Sequence, residues 1–509
     1  MSQLPVVIAG GGTVGLATAV FLGHHGVPSL VLERRAAPSN HPRALGISPR
    51  TLEFFREVGL GDEVDGVAVR STDLGQAGAR TVAEIDRSQA RRPQPLPGFA
   101  VSPETSRGHY PQDRLDAVLI PAGRERGATV EFSVEVTGVE QDTGAVSVTL
   151  SDGRVIRAAY LVGADGANSL VRTRLGIATT GPGEVGDTNV NILFNADLVG
   201  HFGSMPTMTH ISHPDASGVL LAVGDKRWVL HVGLPSNGTV SEERCAETVR
   251  TAIGAEVPVE IVSALPWQAT VRMAQQFRSG RVFLVGDAAR TISPLGAFGL
   301  NTGLADAHNL AWKLAMVLAG QAGERLLDSY HEERHAVAEL VTRQALSRLE
   351  NPRLHWDPTA VAERAAAGVW NAPMVTMGYR YDSSAVIDPV GQVPSTEDVA
   401  ASLDGAPGSR VPHRWVDGSK VSTVDLNESR FALLAGPAGE QWREAARKVA
   451  AARGMDLRAV RLSEQSAASV NLHNDDAILV RPDGFIAWRA SGIAAADVLD
   501  KVLASITGR

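Results

Sequence analysis

Residues 4–15, LPVVIAGGGTVG, run from a short apolar stretch straight into spaced glycines, and no other segment restricts the N-terminal fold as tightly. A continuous apolar run of this length fits a strand buried on both faces of a parallel sheet. Gly10, Gly12 and Gly15 then form a Gly-x-Gly-x-x-Gly turn ahead of a helix predicted from about Val14 to His24, and SLVLE at 29–33 supplies the next strand. In such a βαβ unit the first glycine allows the tight turn, the second lets a pyrophosphate approach the backbone, and the third lets helix pack on strand. The helix N-terminus at Thr13 and Val14 offers free N–H groups and the positive end of the helix dipole to phosphates. Glu33 ends the second strand, where a carboxylate can accept both hydroxyls of an adenosine ribose; Arg34 beside it is assigned to the same cofactor. This motif predicts a bound dinucleotide without separating FAD from NAD.

The rest of the chain extends this start. Helices are expected at 49–58 and 111–127, and strands near 129–136, 145–150 and 159–163. Residues 70–105, rich in Arg, Gln, Pro and Ser, read as an excursion with an edge hairpin. Between 176 and 275, short strand-like runs such as VNILFNADLV, GVLLAV and RWVLHVGL predict an antiparallel sheet inserted between two halves of the first domain. A buried strand returns at 281–287, followed by a long helix at about 301–319 and a mostly helical stretch at 325–385. The polar, Pro/Gly-marked segment 390–411 reads as a linker. Beyond it the order strand, helix, strand, two strands, helix resembles a thioredoxin fold, with no cysteine to do redox work. The expected divisions are 1–175 and 276–393 for the two parts of a Rossmann-like dinucleotide-binding domain, 176–275 for the inserted sheet, and 394–509 for the C-terminal domain.

Composition excludes several other classes. With 48 basic against 56 acidic residues and a net charge of −8, a nucleic-acid footprint is not supported. No apolar run approaches the roughly 18 residues a membrane helix needs. The N-terminus MSQLPVVIAGGG has no basic region or cleavage site, so secretion is not expected. Cys245 is the single cysteine, which rules out an intrachain disulfide, a CxxC pair and a multi-cysteine metal site. A cytoplasmic location is the expectation.

A second motif selects the cofactor. RVFLVGDAAR at 281–290 ends a strand in Gly286-Asp287, and PLGAFGLNTGLADAHNLAWKLA at 294–315 leads through a Gly-rich loop into a helix. Asp287 can hold a ribitol hydroxyl of FAD. Pro294 and the Gly299, Leu300 and Asn301 backbone can face the flavin N1–C2=O edge, where reduced flavin carries negative charge that helix N–H groups stabilise. A nicotinamide dehydrogenase has no use for this second site.

LVGADGANSLVR at 161–172 completes the set. Together these stretches resemble the single-component FAD-dependent aromatic hydroxylases, the group typified by para-hydroxybenzoate hydroxylase and phenol hydroxylase. The resemblance implies that Asp165 and Arg172, in the family's DG motif, serve FAD and the reduced nicotinamide. It places Arg43, in HPRALGISPRTLEFFREVGL at 41–60, near the flavin phosphates, and Gln112, in YPQDRLDAVL at 110–119, against FAD. LLDSYHEERHAVA at 326–338 and MGYRYDSSAV at 377–386 are also family-like, and PGSRVPHRW at 407–415 and AILVRPDGFIAWR at 477–489 match the extra thioredoxin-like domain of the phenol hydroxylase and aromatic polyketide (angucycline-type) hydroxylase branch. Two positions depart from the family pattern: Arg290, where His is usual, and Ala297, in a loop that often reads GGFG or GGQG.

The expected fold is therefore α/β, with a Rossmann-like FAD domain, an inserted antiparallel substrate sheet and a C-terminal thioredoxin-like domain. The resemblance implies non-covalent FAD, NADPH or NADH as transient co-substrate, O2 activated as a flavin C4a-hydroperoxide, and hydroxylation of a polycyclic polyketide-type phenol or quinone. No side chain needs to be a nucleophile, so no catalytic residue is assigned. Trp228, His231 and Trp267 are candidates for an aromatic pocket facing the flavin, with Pro294 and Leu295 from the loop. His201, His210, His213 and His231 read as ordinary sheet or loop residues, and no metal is expected. A homodimer is the expected assembly. The C-terminal domain is expected to be structural or an interface, with flavin binding surviving its removal. Open alternatives are Baeyer–Villiger oxygenation, a flavin reductase or dehydrogenase, and a weakly catalytic flavin- and ligand-binding homologue.

Overall fold

The computed structural model describes residues 6–70, 74–90, 101–233, 240–357, 359–418, 420–492 and 495–509. Leu4 and Pro5 of the expected first strand, and 71–73 and 91–100 of the expected excursion, lie outside the described residues.

Val6–Ala9 is buried at all four positions because parallel strands flank it on both sides, with Val6 paired to Ser29 and to Tyr160. The sheet runs, in order, Arg278–Ser279, Val282–Leu284, Tyr160–Gly163, Val6–Ala9, Ser29–Glu33 and Ala128–Phe132. Helices Thr13–His24, Gln112–Glu125 and Phe298–Leu318 bury Leu16, Val20, Phe21, Leu115, Leu119, Leu304 and Leu310 in the core beside it. A three-stranded antiparallel sheet, Val136–Gln141, Val146–Leu150 and Val155–Ala158, was not anticipated as a separate layer; its alternating valines join the same core.

The second sheet has seven strands, in the order Arg290–Thr291, Glu260–Ala274, Thr179–Asn195, Arg227–Gly233, Gly218–Gly224, Met208–Ile211 and Gln76–Ala79. It reaches beyond 176–275 at both edges. Gln76–Ala79 does not form a hairpin of its own but pairs parallel to Met208–Ile211. At the other edge Arg290 pairs with Met273, so the loop after Gly286-Asp287 is stitched directly onto this sheet. One face is closed by helix Glu242–Ile253, whose Cys245, Val249 and Ile253 pack on Ile192, Phe194, Trp228 and Leu230.

The C-terminal sheet runs Leu457–Arg461, Phe431–Ala435, Ala477–Val480, Ile486–Ala490, with the first pair parallel and the others antiparallel. Helices Glu440–Arg453 and Ala496–Thr507 cover it. Trp312 and Met316 of the long helix enter the same core as Trp442, Leu479 and Leu499. Segment 390–411 is likewise no free linker. Val399 and Leu403, spaced one helical turn apart among the polar residues, bury against Met374 and Met377. Among the described residues, no helix is long and apolar enough to cross a membrane.

Candidate active site

The glycine loop sits where the first sheet ends. Gly10 has φ +106, and a Cβ there would lie 2.3 Å from the Ala164 carbonyl oxygen, so only glycine lets the loop lie against the DG turn. A Cβ on Gly12 would meet nothing within 4 Å, leaving open space over the helix N-terminus. Glu33 accepts from the Gly11 N–H at 2.8 Å and from the Arg35 N–H at 2.9 Å, which holds its carboxylate at the loop. Arg34 turns outward to Glu135 at 3.8 Å. Thr13 donates to Asp116 at 2.5 Å, a residue the sequence reading missed. Burial raises the Asp116 carboxyl to about 7, against the hydrogen bond from Thr13. Val14 is a packing residue, wedged between Gly286 and Gly303.

The second motif lies across from this loop. Asp287 is reachable by water yet crowded by protein, the situation of a group on the wall of a cleft. That crowding pushes its carboxyl above the usual range, while Arg290 and Arg43 pull it down. Among the described residues its carboxylate has no hydrogen-bond or ion-pair partner. The helix begins at Phe298, and among the described residues the N–H groups of Gly299, Leu300 and Asn301 have no hydrogen-bond partner. Asn301 is a tie as well: its Oδ1 accepts from the Ser48 N–H at 2.8 Å and from Thr51 at 2.7 Å, and its Nδ2 donates to the Gly46 carbonyl at 3.1 Å. Pro294 is exposed, and its carbonyl accepts from Ala297 at 3.0 Å.

Both departures from the family pattern have a physical reading. Ala297 has φ +53, a left-handed conformation that costs an L-residue roughly 1 kcal/mol and that glycine adopts freely. Arg290 is buried and donates to Asp306 at 2.5 Å; Asp306 also accepts from the Gly286 N–H at 3.1 Å and from Arg334 at 2.8 Å. The longer cation is thus neutralised beneath the loop.

Between the two motifs stands the 41–46 segment. Arg43 is exposed; desolvation lowers its pKa, Arg35 adds to this and Asp287 opposes it, so the guanidinium lies within electrostatic reach of both ends of the groove. The Gln112 N–H bonds the Ala44 carbonyl at 3.2 Å, and among the described residues its side-chain amide has no hydrogen-bond partner. Asp165 instead caps a short helix, accepting from Ser169 at 2.5 Å and from the Val171 N–H at 3.0 Å. Arg172 bridges the DG turn to the second motif through the Ala288 carbonyl at 2.8 Å.

The open face of the second sheet meets this same segment. Leu45 packs on Leu193, Val223 and Val229. His41 bonds Ser263 at 2.7 Å. His231 lies directly across from Asn191, whose Oδ1 accepts from Trp267 Nε1 at 2.6 Å. Burial lowers His41 and His231 to about 4 each, so both imidazoles are neutral near pH 7. Trp228 must be corrected. It is 2% exposed on the opposite face, in the core under helix Glu242–Ile253, with its indole N–H on the Ala196 carbonyl at 3.1 Å. Strand residues three apart point to opposite sides, so Trp228 cannot share a wall with His231. Leu295 stays half-buried in the loop beside Pro294.

This donor set fits a flavin dinucleotide: open backbone at Gly12 for pyrophosphate, an unpaired carboxylate at Asp287 for a ribitol hydroxyl, and unpaired N–H groups at Gly299–Asn301. Asp287→Ala is expected to weaken FAD binding by roughly ten- to a hundredfold, since a hydrogen bond to a charged group contributes about 1.5–3 kcal/mol. Equilibrium titration of flavin fluorescence measures it, and folding should be unaffected because Asp287 supports no other side chain.

Comparison with known proteins gives the same assignment. The family described as FAD binding domain matches residues 3–345, and the family described as Aromatic-ring hydroxylase, C-terminal, matches 404–509. The chain is 38% identical over 546 residues to tetracenomycin B2 monooxygenase-dioxygenase of Streptomyces olivaceus, covering 100% of this chain and 99% of that one. It is 35% identical over 542 residues to 4-methyl-5-nitrocatechol 5-monooxygenase of a Burkholderia species, covering 97% and 95%. Among solved structures, a ternary complex of aklavinone-11 hydroxylase with FAD and aklavinone superposes with a TM-score of 0.86 at 35% identity, covering 100% and 99%. With both cofactor motifs, the DG turn and the C-terminal unit present over its whole length, the chain belongs to the FAD-dependent aromatic-ring hydroxylases, which are flavoprotein monooxygenases.

Proposed function

We propose that the substrate is a neutral polycyclic aromatic, a phenol or quinone of polyketide type, and that NADPH or NADH is the reductant. The observation that carries this reading is the wall opposite the cofactor groove. Leu45 covers the fully buried Leu193, Val223 and Val229, which back this face with apolar side chains, and His231, Asn191 and Trp267 add polarity without charge on it. A charged substrate would find no counter-ion among these side chains. The naming of aklavinone, a polyketide, in the complex of one close structural relative supports the same class.

Bound FAD, once reduced, supplies the oxygen-activating chemistry. The chain's own residues position and shield. The partnerless N–H groups of Gly299–Asn301 favour negative charge where they point. Trp267 fixes the Asn191 amide so that its Nδ2 is presented as a donor to a ring carbonyl or hydroxyl. The buried Leu193, Val223 and Val229 give this face of the sheet a dry backing. The C-terminal strand order and pairing support a thioredoxin-like unit, and the lack of any cysteine in it supports a non-redox role. Turnover with a panel of polycyclic quinones and phenols beside single-ring catechols tests the substrate class. Hydroxylated product only from the polycyclic members is expected; product only from single-ring members would refute it.

A further inference from the structure

The turn at 481–484, between strands Ala477–Val480 and Ile486–Ala490, buries two charges at the tip of a hairpin: Arg481 is 0% and Asp483 2% exposed. Within the hairpin Asp483 Oδ1 accepts from the Phe485 N–H at 3.4 Å. Both charges face helices of the FAD-binding part. Asp483 Oδ2 accepts from Asn309 Nδ2 at 3.1 Å, on helix Phe298–Leu318. The Asp483 backbone carbonyl accepts from Arg50 Nη2 at 2.7 Å, on helix Pro49–Glu57. Arg481 holds Asp483 in place and forms a bidentate pair with Glu333, which also takes Lys313 at 2.7 Å.

The same two helices meet a second time, at Asn301. That residue lies in the first turn of the long helix and accepts from Ser48 and Thr51, the latter adjacent to Arg50. Asn309 lies about 12 Å along the helix axis from Asn301 at 1.5 Å per residue. Asp483 therefore bridges, from outside, the pair of helices whose other junction sets the unpaired N–H groups of the cofactor groove and the 44–48 segment facing them.

We infer that Asp483 is a positioning residue for the flavin site, and that the C-terminal domain completes that site through the 481–484 turn. This rests on the FAD assignment and reverses the expectation that flavin binding is indifferent to the domain. Energetic coupling between two sites is reciprocal. FAD must then tighten the turn, just as the turn tightens the FAD site.

The test on the unaltered chain is hydrogen exchange with and without saturating FAD. Amides of 481–486 should slow by about fivefold or more beyond any change in strand Leu457–Arg461, at the far edge of the same sheet. Equal change in both segments would overturn the inference. In the full chain, Asp483→Ala, which removes the side-chain link to Asn309 and keeps the backbone carbonyl that Arg50 meets, should weaken FAD by about fivefold or more and change the visible circular dichroism of bound flavin. Asp483→Asn, which keeps an acceptor for Asn309, should recover most of the affinity. Leu499→Ala, in the C-terminal core, should lower the melting temperature without changing FAD affinity. Asp483→Ala binding FAD as tightly as the parent would also overturn the inference. Failure of the parent itself to bind FAD would instead refute the cofactor assignment.

Discussion

Glu333→Ala is expected to prevent folding of the full chain or to lower its melting temperature by roughly 10 °C or more, since about 5 kcal/mol is lost and each kcal/mol moves a large domain by a few degrees. Glu333 is 1% exposed and accepts from Arg481, Lys313, Asn309 and Ser383. Removing it leaves the Lys313 and Arg481 cations buried, and breaking a buried pair from one side costs about 3–5 kcal/mol. Burial already lowers Lys313 to about 8 with Glu333 beside it. Without that carboxylate Lys313 sheds its proton at lower pH, while Arg481 keeps its charge. Glu333→Gln, which retains an acceptor, should lose less. Thermal melts followed by far-UV circular dichroism distinguish the three proteins; an alanine variant melting with the parent would show that the cluster contributes nothing.

Acidification from pH 7 to pH 5 is expected to destabilise the fold by an amount comparable to its whole stability. Burial lowers His25, His41, His231, His355 and His413 to about 4 each. In the unfolded chain these imidazoles take up protons near the ordinary value of 6.5. Their contribution is therefore fully present above pH 6.5 and is lost as pH falls toward 4, because the unfolded state binds protons the folded state refuses. Five such groups sum to something on the order of 5–10 kcal/mol at pH 5, against about 5–15 kcal/mol for a typical domain. Asp116 works the other way. Its carboxyl, raised to about 7, keeps a proton that the unfolded chain releases, so it adds stability as pH falls; Asp287, also raised by burial, acts in the same direction, and two carboxyls stand against five imidazoles. Denaturant midpoints measured from pH 8 to pH 5 should fall steeply below 6.5, and a flat profile would contradict the burial of these rings.

The features legible in the sequence are those where a few consecutive residues dictate backbone shape. The turn at Gly10–Gly15, the Gly286-Asp287 strand end and the loop before Phe298 each carry their own geometry, so their chemistry could be read before their neighbours were known. What escaped depends on register or on distant partners. Trp228 and His231 lie three residues apart on one strand and so point to opposite faces, whereas Asn191 joins His231 through cross-strand pairing. His41 and Ser263 meet across 222 positions. Arg290 could be seen as a departure but not as a buried partner of Asp306. The charges at 313, 333, 481 and 483 look like solvated side chains until the C-terminal hairpin is placed against the long helix. In segment 390–411 the prolines and glycines signal a linker, while Val399 and Leu403 pin it to Met374 and Met377.

The most direct measurement is turnover of the holoenzyme with reduced nicotinamide and a polycyclic quinone or phenol under isotopically labelled O2, with the product analysed by mass spectrometry. One labelled oxygen atom per product molecule is expected. Label entering from water in a product that does not exchange oxygen, or a dehydrogenated product with no added oxygen, would contradict the monooxygenase assignment.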